Sequence, residues 1–195
     1  MPPGAPGWHH GLVLDPRKTI NPRAAIRRLV TSDASQYRTM MLEAYERHPD
    51  AFTSSAAERA SLPMTWWEAR LKEGSQVSDM VIGAFQASRL AGVAGLSFET
   101  RAKARHKATL FGMYVPSTFR KSGIGKALVL GVLEQARQRE GVRLVQLTVT
   151  QGNDLAQGLY ERCGFIQYGV EPFAVAVGTE YVSKVHMWCD LKVDD

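Results

Sequence analysis

A junction near the middle of this chain sets the terms for any fold it can adopt. The apolar run "KATLFGMYV", residues 107–115, stops at Pro116, and "FRKSGIGKAL", residues 119–128, then sets two glycines beside three cations at the head of a helical pattern. A short apolar run bounded by proline reads as a strand. The segment that follows, "GIGKALVLGVLEQARQREG", is apolar nearly all round through Leu133 and polar from Glu134. Its first half must therefore be buried, with its N-terminus at the edge of a sheet.

The flanking texture supplies the rest of the architecture. "AAIRRLV" reads as a first strand, and "TSDASQYRTMMLEAYERHPDAF" as a helix capped near Ser32 or Asp33, with Tyr37, Met40, Met41, Ala44 and Tyr45 at helical spacing. A second helix is expected over Met64 to Lys72, ending at Gly74. "DMVIGAFQAS" and "LAGVAGLSFET" form a hairpin across Ser88-Arg89, and "VRLVQLTVT" alternates so that Val145, Leu147 and Val149 share one face. A closing hairpin spans Phe165 to Val177 and Tyr181 to Leu191 around Gly178. The order strand, two helices, three strands, helix, strand, helix, two strands predicts a mixed α/β layer in which helices cover a sheet.

Composition narrows the class of protein. At 195 residues with 45% hydrophobic and 22% charged content, one sizeable core is expected. Residues 1–23 contain five prolines and no periodicity, which predicts a mobile leader ahead of a single domain at 24–195. No stretch approaches the roughly 20 apolar residues of a membrane span, so a cytoplasmic address is expected. Cys163 and Cys189 lack metal-type spacing and read as thiols rather than zinc ligands; no metal is expected. The net charge of +5 suits anionic partners in general, but the basic segments lack the interleaved aromatics of a nucleic-acid surface, so nucleic acid is not an expected partner.

Spacing separates the phosphate-binding readings of "RKSGIGKAL". A dinucleotide fingerprint needs glycine where Leu128 stands, and a nucleotide P-loop needs glycine at Arg120 and a hydroxyl at Ala127. Both fail. What survives is a helix N-terminus with unpaired amides, cleared of side chains by Gly123 and Gly125, which suits a diphosphate or is simply a glycine turn with cations facing water.

A strand ending in "MYV", the loop "PSTF" and "RKSGIG" opening a helix are followed about thirty residues later by "TQGNDLAQGLYERCGF", a second strand end running into a short helix. This paired arrangement, from about Ile26 to Leu191, resembles the GNAT superfamily of acetyl-CoA-dependent N-acetyltransferases. The resemblance implies a central, mixed but mostly antiparallel sheet flanked by helices. It also implies direct acetyl transfer from acetyl-CoA to a primary amine, on a small molecule or on a protein N-terminus or lysine. A catalytically weak acyl-CoA sensor of the same fold is the alternative, and homodimers are common among such proteins.

Carried over residue by residue, the resemblance assigns Arg120, Gly123 and Gly125 to the diphosphate signature, with Lys121, Ser122, Ile124, Lys126 and Ala127 supplying further backbone donors or charge. Met113 and Val115 would pair with the pantetheine arm, and Asn153 would open the second helix against the coenzyme. Tyr160 becomes the general acid, against the alternative of a core aromatic, and Asn153 is equally a helix cap. No carboxylate lies between Glu99 and Glu134, and Thr109 sits where a basic glutamate is often found. Glu99, His106 or solvent are therefore the candidate bases. Phe52, Trp66, Trp67, Phe173, Tyr181 and His186 are available to line an acceptor pocket or to build a core.

Overall fold

The computed structural model describes residues 24–74 and 77–192; the proline-rich leader expected at 1–23 lies outside the described residues. The elements run β1 (Ala25–Arg28), α1 (Ala34–Arg47), α2 (Ala56–Ala60), α3 (Met64–Ala69), β2 (Asp79–Gln86), β3 (Arg89–Phe98), β4 (Lys107–Tyr114), α4 (Ile124–Gln138), β5 (Leu144–Thr150), α5 (Asp154–Arg162), β6 (Ile166–Val177) and β7 (Glu180–Asp190). All seven strands join one sheet in the order β1-β2-β3-β4-β5-β7-β6. Every neighbouring pair is antiparallel except β4 and β5, so the sheet is mixed and mostly antiparallel, as expected.

Two cores divide along the faces of the sheet. On one face Ile124, Leu128, Val132 and Leu133 of α4 and Tyr160 of α5 pack on Val145, Leu147, Val149 and Met187. On the other, Tyr37, Met41 and Ala44 of α1 and Trp67 of α3 pack on Val81, Phe85, Val93 and Tyr114. The strict alternation of β5 decides what its second face can be. With Val145, Leu147 and Val149 committed to the α4 side, Gln146, Thr148 and Thr150 must face the α1 side.

Local corrections have identifiable causes. Helix α2 was not expected, although "SAAE" carries its signal: Ser55 Oγ accepts from the Glu58 amide at 3.2 Å, and Glu58 accepts from the Ser55 amide at 2.7 Å. The β2–β3 turn falls on Ala87-Ser88, not Ser88-Arg89; both residues have positive φ, +46° and +67°, the backbone twist that a two-residue hairpin requires. Asp33 precedes α1 but does not cap it with its side chain. Its carboxylate instead accepts from the Val30 amide at 2.9 Å and from both terminal nitrogens of Arg27 at 2.7 and 2.9 Å. That fork holds the carboxyl below the usual carboxylate range, chiefly by hydrogen bonding to the guanidinium.

Candidate active site

The site begins where two strands part. β4 and β5 pair only over Lys107–Thr109 and Leu144–Gln146. Beyond that point β4 bulges: between the pairs Gly95↔Phe111 and Val93↔Tyr114, β3 advances two residues while β4 advances three. Gly112 takes the left-handed conformation that the extra residue requires, at φ +57°. The bulge turns the end of β4 away from β5 and opens the sheet on the C-terminal side of Thr109.

A cleft of about 400 Å³ occupies this opening and continues over the α1 face of β5 and β7. Met113, Thr148, Asn153, Tyr160, Lys184 and His186 are among the residues that line it. The walls come from α1, the segment after it at Ala51–Ser54, Arg59 of α2 and Arg70 after α3.

Beside Met113, the start of α4 presents donors. Lys121 and Gly123 both have positive φ, +61° and +83°, and the first hydrogen bond of the helix runs from the Ala127 amide to Gly123 O at 3.0 Å. The Ala127 amide is therefore committed to the helix, and the free donors fall at residues 121–126. Alternating left-handed positions before a helix make a concavity of amides, and no acidic residue occupies the first turn of α4 to neutralise it. A Cβ on Gly123 would meet nothing within 4 Å, so the space before it is open, whereas one on Gly125 would lie 3.2 Å from Leu159 and 3.5 Å from Met113. Gly125 thus serves the close packing of α4 on α5 and β4.

The other expected residues take different places around this concavity. Lys121, Ser122 and Lys126 are exposed, and Ile124 is buried, leaving only its backbone available. Ser122 Oγ donates to Phe119 O at 2.5 Å. Arg120 turns back on the chain: its Nε donates to Val115 O at 3.0 Å and a terminal nitrogen sits 3.1 Å from His48 Nε2. Asn153 caps α5, its Oδ1 accepting from the Ala156 amide at 3.2 Å, while also lining the cleft.

Tyr160 is buried, and its hydroxyl contacts Met113 Sδ at 3.5 Å. Burial pushes the phenol up to about 12, so it stays protonated through neutral pH. Glu99 is not brought to the cleft. Its amide donates to Lys107 O at the start of β4, six residues before Met113 and so about 20 Å away along a strand. Arg101 clasps the carboxylate and holds it down to about 2, which makes it a weak proton acceptor. His106 lies at the same far end, its carbonyl accepting from the Arg143 and Leu144 amides.

Sequence reasoning offered His186 as a pocket-lining residue, and the cleft does include it, but it missed the polar group built around the ring. His186 Nε2 lies 3.0 Å from Glu171 Oε2 and its Nδ1 lies 3.5 Å from the Tyr168 hydroxyl. In the neutral ring the carboxylate selects the tautomer: it can only accept, so Nε2 carries the proton and Nδ1 is the acceptor. Around the ring stand Glu171 and Tyr168 from β6, Thr148 opposite it on β5, and Lys184 two residues earlier on β7. The signal was present in the alternation of β7, which puts Lys184 and His186 on the same face, but the β6 register that delivers Glu171 depends on a bulge between Glu171 and Val175.

Lys184 is buried, and Nζ donates to Asp50 O at 2.9 Å, Ala51 O at 3.0 Å and Thr150 Oγ1 at 2.8 Å. Burial lowers its pKa. Thr150 Oγ1 also donates to Asp50 O at 2.9 Å, so the end of β5 and the middle of β7 jointly hold the segment after α1 against the cleft.

Residues 39–165 match the model of the acetyltransferase (GNAT) family. The chain belongs to that family. A GNAT acetyltransferase from Streptococcus pneumoniae shares the fold with a TM-score of 0.77 at 21% identity, over 87% of this chain and 99% of that one. A putative acetyltransferase from Salmonella typhimurium, solved with its cofactor acetyl-CoA, superposes with a TM-score of 0.72 at 17% identity over 88% and 96% of the two chains. A ribosomal protein bS18-alanine N-acetyltransferase from Haemophilus ducreyi is 38% identical over 61 residues, which span 31% of this chain and 41% of that relative. In this GNAT protein the bulge, the opening and the amide-bearing turn before α4 all lie within the matched segment, while His186 and Lys184 lie outside it.

Proposed function

We propose that the protein transfers acetyl from acetyl-CoA to a primary amine, on a small molecule or a protein, by direct attack in a ternary complex, and that residues 24–195 act as one acetyltransferase domain. The observation that carries this reading is the β4–β5 opening at Met113, flanked by the donor concavity of residues 121–126 and walled by the Tyr160 hydroxyl. The open space before Gly123 and the uncompensated amides fit a diphosphate.

Backbone amides at 121–126 hold the diphosphate, with Lys121 and Lys126 adding exposed positive charge. The main chain of Met113 and Val115, turned from β5 by the bulge, pairs with the pantetheine amides as an added strand would. Bound there, the thioester supplies an activated acyl carbon.

Tyr160 acts as a standing hydrogen-bond donor to the departing sulfur. Because burial raises the phenol well above an ordinary thiol, full proton transfer to the departing thiolate is uphill, so solvent completes the protonation. His186 Nδ1 accepts the proton of the attacking amine, and Glu171 holds the ring and steadies the imidazolium. Lys184 keeps the Asp50–Ala51 segment in place as a wall for the acceptor.

Acceptor-dependent release of free coenzyme thiol across a panel of amines tests the reading. Turnover with at least one amine supports it. Tight acetyl-CoA binding with no turnover for any amine would instead favour a sensor.

A further inference from the structure

The lining of the cleft has a one-sided charge. Arg59, Arg70 and Lys184 contribute to it, and no aspartate or glutamate does among the described residues. Two of the three cations are accounted for: Lys184 spends its donors on two carbonyls and a hydroxyl, and Arg70 lies 3.8 Å from Asp79. Glu171, which reaches His186, stands outside the lining.

Arg59 is different. It stacks over Trp66 at 4.7 Å and stands 5.9 Å from the Tyr45 ring centre, and one terminal nitrogen donates to Ser54 Oγ at 2.7 Å. No carboxylate lies within salt-bridge distance of it among the described residues, and its Nε is buried without an acceptor. Arg70 approaches the same indole at 4.9 Å, so two guanidiniums share one ring; Asp79 lies 3.8 Å from Arg70, and exposed Glu58, committed to capping α2, is the carboxylate that acts on Arg59 from beyond ion-pair distance. A partly desolvated cation left without its partner is costly, and a fork of parallel N–H donors matches a carboxylate.

We infer that the acceptor amine also carries a carboxylate or comparable oxyanion, received by Arg59 with Arg70 behind it, so that the substrate is amino-acid-like rather than a basic peptide or a simple amine. This rests on the acetyltransferase reading. The aromatic surroundings of Arg59 keep water from competing for the ion, and the same positive field repels an acceptor whose only charge is its ammonium. The anion would thus anchor one end of the acceptor while its amine, losing a proton to His186, bonds to the acyl carbon and the carbon–sulfur bond breaks.

The experiment compares amino acids with their own amides, alongside a lysine-rich peptide, by thiol release and by calorimetric binding of the N-acetylated products to the protein without coenzyme. The inference expects at least a tenfold preference for the acid in kcat/KM and in product affinity. That ratio should collapse toward one in Arg59→Gln and recover in part in Arg59→Lys, with acetyl-CoA affinity unchanged in both. Equal handling of acid and amide, preference for the peptide, a ratio indifferent to Arg59→Gln, or no binding of any acid would overturn it. Failure of acetyl-CoA itself to bind would instead defeat the underlying reading, and acid-selective product binding would still sustain the anion subsite.

Discussion

The hydroxyl of Tyr160 meets the sulfur of Met113 across 3.5 Å, joining α5 to the bulged strand at the mouth of the β4–β5 opening. A thioether is a weak acceptor, so this contact does little to hold the fold and leaves the hydroxyl available to a better partner. Tyr160→Phe should cost under about 1 kcal/mol of stability while lowering kcat by about 10- to 100-fold. Because burial holds the phenol near 12, the wild-type rate should show no loss from phenol ionisation below pH 10. Denaturant melts and a pH–rate profile of both proteins check this.

Gly123 needs its left-handed backbone but has empty space around it. Replacement by alanine therefore introduces strain without a clash, about 1–2 kcal/mol, which the loop relieves by abandoning the concavity. Acetyl-CoA affinity should fall by about tenfold or more, and thermal stability only modestly. Gly125→Ala should do the reverse, costing packing against Leu159 with a smaller effect on affinity. Calorimetry with acetyl-CoA, paired with melting curves, separates the two.

Loss of the His186 ring should remove a proton acceptor rather than a wall. His186→Gln is expected to lower kcat/KM by about 100-fold at neutral pH in steady-state kinetics. Glu171→Gln should give an intermediate loss. An unchanged kcat/KM in His186→Gln would leave solvent as the base.

Asp33 couples stability to pH. Its carboxyl is held below its unfolded value by Arg27, so it adds stability above an unfolded pKa of about 3.9, and that contribution disappears as pH falls through the folded value. Arg27 is about half exposed, its side chain retaining 46% of its accessible surface, which limits the effect. Asp33→Asn should cost about 1–2 kcal/mol at pH 7, with the gap to wild type closing as pH falls below the ordinary carboxylate range. Chemical denaturation across that range measures it.

The sheet was readable from the chain because its strands are long and strongly patterned, and the β5 alternation alone placed Val145, Leu147 and Val149 in the core. The donor turn at 121–126 was readable because glycine and helix onset coincide there. Long-range register was not. The far placement of Glu99 follows from the antiparallel return of β4, and the meeting of Glu171 with His186 follows from a bulge in β6 that no local propensity announces. For Arg120, which reads as a phosphate ligand by position, the fold adds Val115 O and His48 as partners, contacts that local sequence does not announce.

The proposed reaction requires coenzyme to dock on the turn before α4 and the end of β4. Backbone amide resonances recorded during titration with acetyl-CoA report on that docking residue by residue. The largest shifts are expected at residues 121–126 and at Met113 and Val115, saturating together. Shifts concentrated elsewhere in the chain, with these residues unmoved at saturation, would contradict it.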